Sequence, residues 1–186
     1  MSTVVFRFCI FCIFFFISTL NAAVYDHDTL NIFAKITPRF IFLSSVHKSI
    51  KKEIRICIFS DEMESKAVDS FTKNLHSQYP NGIKNYPLEV ITLLYSDLDE
   101  KSIQKCHDAQ IMFLFNSSTK SIQKAVLYAK EHQILTISYD EKLLQNNVDI
   151  SLFIGRKTVP YINLESIKNK GISLNNTLLR ISKIYK

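Results

Sequence analysis

The amino-acid sequence predicts an α/β fold in three layers, with a mostly parallel, doubly wound sheet between layers of helices. Short apolar segments rich in β-branched residues alternate with longer amphipathic segments along the chain. The short segments, such as "IRICIF" and "IMFLF", are apolar at consecutive positions, which is typical of strands covered on both faces. The segments between them are long enough for crossovers, so the strands can run parallel.

Residues 1–22 have the pattern of a signal peptide, and residues 23–186 are interpreted as one domain. Arg7 supplies the positive charge, residues 8–17 form an unbroken apolar run, and the small residues Ala22 and Ala23 follow. We therefore predict cleavage of this segment and export of the domain. The alternative is an uncleaved membrane anchor, for which the apolar run falls short of the roughly 20 residues of a spanning helix.

Hydrophobic spacing and turn signals assign the elements of the first half of the domain. These are a helix over 28–43 that Pro38 kinks or ends, a strand over 54–59, a helix through 63–75 capped by Ser60 and Asp61, a turn at 79–82, and a strand over 88–95. The helical periodicity is clear in the first helix, where Leu30, Phe33 and Ala34 share one face.

The second half continues the alternation of helices and strands. Its elements are a short helix over 98–105, a strand over 111–115, a helix over Thr119–Glu131, a strand over 133–138, a hairpin of strands 150–155 and 158–163, a helix over Leu164–Asn169 that stops at Gly171, and a closing helix from Leu174. In a doubly wound, Rossmann-like order the first and third strands are neighbours. The hairpin is expected to add antiparallel strands at the edge of the sheet, with the last two helices packed over it.

The cysteines predict one disulfide bond. Cys9 and Cys12 leave with the signal peptide, so Cys57 in the first strand and Cys106 before the third strand remain. An even number of cysteines in an oxidising compartment favours a disulfide, and neighbouring strands would bring these two within reach. Two alternatives stay open: two separate buried thiols, or an activated thiol at Cys106 beside His107.

Little in the sequence indicates catalysis. None of the three glycines of the chain, Gly82, Gly155 and Gly171, lies between a strand and the following helix, where phosphate-binding loops need them. The five histidines lie in separate segments without metal-ligand spacing. We therefore predict no enzyme activity, no cofactor and no metal.

Charged residues are interpreted as helix caps and solvated surface. Asp61, Glu62 and Glu64 could form a carboxylate site, but the helix dipole also favours negative charge in a first turn. The net charge of +6 comes largely from lysines that are scattered except within 48–55, which argues against a nucleic-acid partner. Contact with anionic lipid head groups or peptidoglycan is the alternative to a plain solvated surface.

Aromatic side chains are candidates for a partner-binding surface. Phe40 and Phe42 near the first helix, and Phe153 and Tyr161 on the hairpin, could form an exposed patch. Since the chain has 14 Phe and 8 Tyr, packing in the core is the alternative.

Four segments together carry a resemblance that spans nearly the whole domain. They are "LNIFAKI" with Phe33 and Lys35, "IRICIF" with Cys57, "CHDAQIMFLF" led by Cys106, and the closing "YINLESIKNKGISLNNTLLRISKIYK". The combination is similar to the YfiR/HmsC-like family, small exported regulators of the bacterial cell envelope. Two departures are present: the chain has no tryptophan where members often have Trp-Pro, and residues 143–154 lack a second cysteine pair that some members carry. A redox switch that needs this second pair is therefore not implied.

The resemblance implies a non-catalytic periplasmic protein that binds the periplasmic part of a membrane diguanylate cyclase or another sensor. Repression of that enzyme would lower cyclic-di-GMP and biofilm formation. Partner contacts in the family involve the C-terminal region, which here corresponds to Phe153, Tyr161, Ile167 and Gly171. Contact with an envelope lipoprotein or peptidoglycan, and a homodimer, are further expectations. The alternative is a periplasmic module that binds a small solute at the carboxyl ends of the strands, near Ser60 or Asn116.

Overall fold

A seven-stranded sheet lies at the centre of the domain in the computed structural model, which describes residues 25–185. The predicted signal peptide over 1–22 lies outside the described residues. The strands are β1 (Ile54–Ser60), β2 (Leu88–Leu94), β3 (Ile111–Leu114), β4 (Leu135–Ser138), β5 (Ile150–Ile154), β6 (Thr158–Ile162) and β7 (Lys183–Ile184). Their order is β2-β1-β3-β4-β5-β6-β7, and β1 to β5 run parallel. β6 is antiparallel to β5, and β7 is parallel to β6.

Helices cover both faces of this sheet. They are α1 (His27–Phe42), α2 (Ser65–Gln78), α3 (Glu100–Ile103), α4 (Thr119–Glu131), α5 (Leu164–Asn169) and α6 (Asn176–Ile181). One core cluster joins α1 and α2 to the first face, and a second joins α3 and α4 to the other. The predicted three-layer, mostly parallel, doubly wound fold with a C-terminal hairpin is therefore confirmed. No helix within residues 25–185 is both long and apolar enough to cross a membrane.

The burial of each strand follows from its place in the sheet. β1 lies between β2 and β3, and β3 and β4 are buried at every residue, because helices cover both of their faces. β2 has the same apolar sequence pattern, but its residues are mostly half-buried because it is the edge strand. The apolar sequence pattern alone did not distinguish the edge strand β2 from the central strands.

The predicted helix over 28–43 is confirmed by α1, which continues through Pro38 and does not end there, although a proline removes one helical N–H and crowds the preceding turn. Packing compensates, since Phe33 and Phe40 on either side of Pro38 are each 1% exposed in the first core cluster. One predicted detail is wrong: the hairpin does not form the edge of the sheet, because Lys183 of β7 pairs with Tyr161 of β6.

Candidate functional site

Cys57 and Cys106 form a disulfide bond, as predicted. Cys57 lies on β1, Cys106 lies in the turn before β3, and their Cα atoms are 6.0 Å apart. Both side chains are fully buried. Cys106 is thus not a free thiol, so the alternative of an activated thiol beside His107 is wrong.

Asp61 and Glu64 cap the short 3-10 helix Glu62–Glu64 that leads into α2, whereas Ser60, the other predicted cap residue, is the last residue of β1. The Asp61 side chain accepts a hydrogen bond from the Glu64 backbone, and the Glu64 carboxylate accepts one from the Asp61 N–H at 3.0 Å. This reciprocal pair is a capping box. Burial raises the pKa of the Glu64 carboxyl above its ordinary value. Among residues 25–185, no three His, Cys, Asp or Glu side chains group closely enough to hold a metal ion.

The two hairpin aromatics lie together at the surface. Phe153 is 43% exposed and stacks on Tyr161, with ring centroids 5.7 Å apart and planes inclined by 12°. The Lys183 ammonium lies 5.5 Å from the Tyr161 centroid and 6.0 Å from that of Phe153, which is within cation–π range. We call Phe153, Tyr161 and Lys183 the edge patch. Whether a partner binds there stays a prediction.

Other apolar side chains are exposed at the same edge of the sheet as the edge patch. Seven large hydrophobic side chains are exposed within residues 25–185, and four of them, Phe153, Ile181, Ile184 and Tyr185, lie on the hairpin or near β7. From residue 150 to the end, Glu165 is the one acidic residue of the sequence, among several lysines and arginines. This end of the sheet is therefore both apolar and basic.

Phe40 and Phe42 do not extend this surface. Phe40 is 1% exposed, so its predicted place in an exposed patch is wrong; α1 turns it into the core. Phe42 is half-buried, and the Lys84 ammonium lies 4.1 Å from its ring centroid.

Ile167 and Gly171 have structural roles. The Ile167 side chain is fully buried in the first core cluster, and a partner contact at this residue stays a prediction. Gly171 has a φ of +71°; its N–H donates to the Lys168 carbonyl at 2.9 Å, and the Ile172 N–H donates to the Ile167 carbonyl at 3.2 Å. This Schellman motif confirms the predicted helix stop. A partner contact at Gly171 stays a prediction.

A buried ion pair connects α5 to the sheet. Lys170 is 3% exposed, and its ammonium lies 2.5 Å from Oδ2 of Asp149 and 3.0 Å from Oγ1 of Thr136. The Asp149 carboxylate also accepts from the Thr136 N–H at 2.7 Å and from the Ser166 hydroxyl at 2.7 Å. Burial lowers the pKa of the Lys170 ammonium, and the Asp149 charge opposes that shift. We call Thr136, Asp149, Ser166 and Lys170 the polar clamp.

Asn163 begins α5 and joins it to the polar clamp. Its Oδ1 accepts from the Ser166 N–H at 3.0 Å, its Nδ2 donates to the Leu144 carbonyl at 3.0 Å, and its N–H donates to the Asp149 carbonyl at 2.8 Å. The predicted asparagine start of this helix is confirmed. The burial of Lys170 could not be predicted, because a lysine in the segment "IKNKG" carries no sequence signal that marks it as buried.

An aromatic slot lies at the carboxyl ends of β3 and β4, and Tyr25 fills it. The Tyr25 hydroxyl accepts from the Asn116 N–H at 2.9 Å, and its ring packs against those of Phe115 and Tyr139 with centroids 4.9 and 4.7 Å away. Burial raises the pKa of the Tyr25 hydroxyl. The chain's own ring thus occupies the place near Asn116 where a small solute was expected. Tyr25 lies before the first predicted helix, and no sequence signal identified it.

Comparisons with known proteins agree with this fold. A family profile described as YfiR/HmsC-like matches residues 34–183, and no curated protein sequence matches. A conserved domain protein from Vibrio cholerae O1 biovar El Tor is 12% identical, with a TM-score of 0.61 over 84% of this chain and 60% of that one. The ABC domain from Streptococcus pneumonia, in complex with L-Trp, is 8% identical, with a TM-score of 0.55 over 86% of this chain and 60% of that one. The chain spans 60% of the length of either structure, and at these identities the likeness shows the fold alone.

Proposed function

We propose, because this chain belongs to the YfiR/HmsC-like family, that it is a non-catalytic periplasmic regulator that represses a membrane signalling enzyme. In this proposal it binds the periplasmic part of a diguanylate cyclase and so lowers cyclic-di-GMP and biofilm formation. The observation that carries the proposal is the family match over residues 34–183, which spans the sheet, the disulfide and the polar clamp.

The edge patch is the surface that best suits a protein partner. Aromatic side chains with fixed orientation contribute large contact areas at a small loss of conformational entropy. Phe153 and Tyr161 hold each other by stacking, on strands that pair along their whole length. The exposed apolar groups and basic charge around them fit a partner that presents apolar and acidic groups.

The proposal is tested in the organism that encodes the protein. Deleting the gene should raise cyclic-di-GMP, measured by mass spectrometry, and the wild-type gene should restore the lower level. The double variant Phe153→Ala/Tyr161→Ala should fail to restore it. Leu127→Ala is the matched control, because Leu127 is 57% exposed on α4 and lies outside the edge patch.

The possible outcomes test the regulatory function and the role of the edge patch separately. Unchanged cyclic-di-GMP in a deletion strain, whose parent is shown by immunoblot to contain the protein, would contradict the regulatory function. If the deletion raises cyclic-di-GMP but Phe153→Ala/Tyr161→Ala restores it as fully as Leu127→Ala, the function stands and the edge patch is not the contact surface.

A further inference from the structure

The strand order places a ligand-type crevice between β1 and β3. β1 is followed by α2, which packs on one face of the sheet, and β3 is followed by α4, which packs on the other. The chain therefore leaves these neighbouring strands in opposite directions. Open α/β sheets bind ligands at this kind of point, outside the carboxyl ends of the strands. The aromatic slot lies next to this point, with Phe115 and Asn116 directly after β3 and Tyr139 directly after β4.

The surroundings of the Tyr25 ring are complementary to a phenol. The rings of Phe115 and Tyr139 meet it at 66° and 68°, the edge-to-face arrangement that aromatic pairs prefer. At the end of the slot, the Asn116 N–H donates to the phenol oxygen at 2.9 Å. An apolar slot with one fixed donor favours an aromatic ring that carries an oxygen.

The walls of the slot are held by contacts that do not involve Tyr25. Tyr139 stacks on Phe33 of α1, with centroids 5.2 Å apart and planes inclined by 25°. Phe115 packs against Phe113 at 5.3 Å, and its carbonyl accepts from the Tyr95 hydroxyl at 2.9 Å. The slot should therefore keep its shape when the Tyr25 ring is absent.

Tyr25 can leave the slot without disrupting a helix. It precedes Asp26, the N-cap residue of α1, so no helical hydrogen bond depends on its position. A cavity of about 270 Å³, lined by Tyr25, Leu30, Met63 and neighbouring residues, adjoins the ring. Departure of the ring would join the slot to this open volume and give a small ligand access.

We propose that this slot binds a small phenolic compound and that the Tyr25 side chain is a built-in occupant that the compound displaces. The proposal does not depend on the regulatory function. We call the fraction of molecules whose Tyr25 ring lies outside the slot the open fraction. A ligand that must displace Tyr25 binds more weakly than it would to an empty slot, because its apparent affinity is reduced in proportion to the open fraction. Tyr25→Phe removes the hydrogen bond from the Asn116 N–H to the Tyr25 hydroxyl. The typical net contribution of one such bond corresponds to an increase of about fivefold in the open fraction.

The test compares phenol binding among wild type, Tyr25→Phe and Tyr25→Ala by isothermal titration calorimetry. We expect Kd to fall about fivefold in Tyr25→Phe and at least roughly tenfold in Tyr25→Ala. Tyr185→Ala, which removes an exposed tyrosine, is the control and should match wild type. Benzene has no oxygen for the Asn116 N–H, so it should bind Tyr25→Ala about fivefold more weakly than phenol.

Equal phenol affinity in all four proteins would overturn the proposal, because the slot would then close once the ring is removed. Equal affinity of Tyr25→Ala for benzene and phenol would overturn it as well, since the Asn116 donor would play no part. If Tyr25→Ala does not fold, the comparison of Tyr25→Phe with wild type decides: a lower Kd supports the site, and an unchanged Kd rejects it.

Discussion

We expect Lys170→Met to destabilise the domain by about 3–5 kcal/mol, because it leaves the buried Asp149 carboxylate without its cation. Methionine has a similar length, so the loss of packing is small. The carboxylate keeps hydrogen bonds from Thr136 and Ser166, but each neutral donor contributes only about 1 kcal/mol net and these bonds already exist in the wild type. A domain of this size loses roughly 2–4 °C of Tm per kcal/mol, so the expected fall is about 6–20 °C.

The measurement is urea unfolding followed by far-ultraviolet circular dichroism. Lys168→Met is the matched control, since Lys168 lies on the same helix but is exposed, and it should change the free energy of unfolding by less than about 0.5 kcal/mol. A double-mutant cycle with Asp149→Asn isolates the charge interaction. In the Asp149→Asn background no carboxylate is left unpaired. Lys170→Met should therefore lower the free energy of unfolding there by at least about 2 kcal/mol less than it does in the wild-type background.

Two results would refute this reasoning. If Lys170→Met is as stable as Lys168→Met, the Asp149 carboxylate does not need a cation and must reach water or a proton. If Lys170→Met loses the same free energy in both backgrounds, the loss comes from packing and not from the unpaired charge.

The remaining predictions concern the disulfide and the glycines. Replacing both Cys57 and Cys106 by alanine should lower the free energy of unfolding by about 2–4 kcal/mol, the upper value being the chain-entropy estimate for a loop of 49 residues; an unchanged urea midpoint would contradict it. Gly171→Ala should lower the free energy of unfolding by about 1 kcal/mol, because φ is +71° but an added Cβ meets nothing closer than 3.5 Å. Gly82→Ala should lower it more, since its Cβ would lie 2.1 Å from the Tyr86 carbonyl oxygen, and equal thermal shifts for the two variants would contradict this ranking.

The sequence predicts best those helices that have a cap residue at the start and either an apolar stripe or a glycine stop after it. The bounds of α4 and α5 agree with the prediction to the residue, because Ser118 and Asn163 supply caps and an apolar stripe or a glycine stop follows. β7 has two residues and no periodicity, so only its pairing with β6 identifies it as a strand. Edge and centre strands also look alike in sequence when both are apolar, as β2 and β1 are.

The disulfide could be predicted from the sequence, whereas the polar clamp and the role of Tyr25 could not. The disulfide could be predicted because cysteine number and strand order each constrain it, independently of side-chain detail. The partnership of Asp149 and Lys170 depends on how α5 folds back over the sheet, 21 residues along the chain, and a lysine on a short polar helix carries no local signal of burial. The role of Tyr25 depends in the same way on Asn116, which is 91 residues away.

The C-terminal region from the hairpin onward has two physically different roles. Asn163, Ser166 and Lys170 turn inward and attach α5 to the sheet, whereas Phe153 and Tyr161 remain on its surface. A substitution in the polar clamp should weaken partner binding only by loosening the hairpin, so binding and stability should fall together. A substitution in the edge patch should weaken binding while the free energy of unfolding stays nearly constant. Measuring both quantities on Lys170→Met and on Phe153→Ala therefore distinguishes the residues that build this surface from the residues that a partner touches.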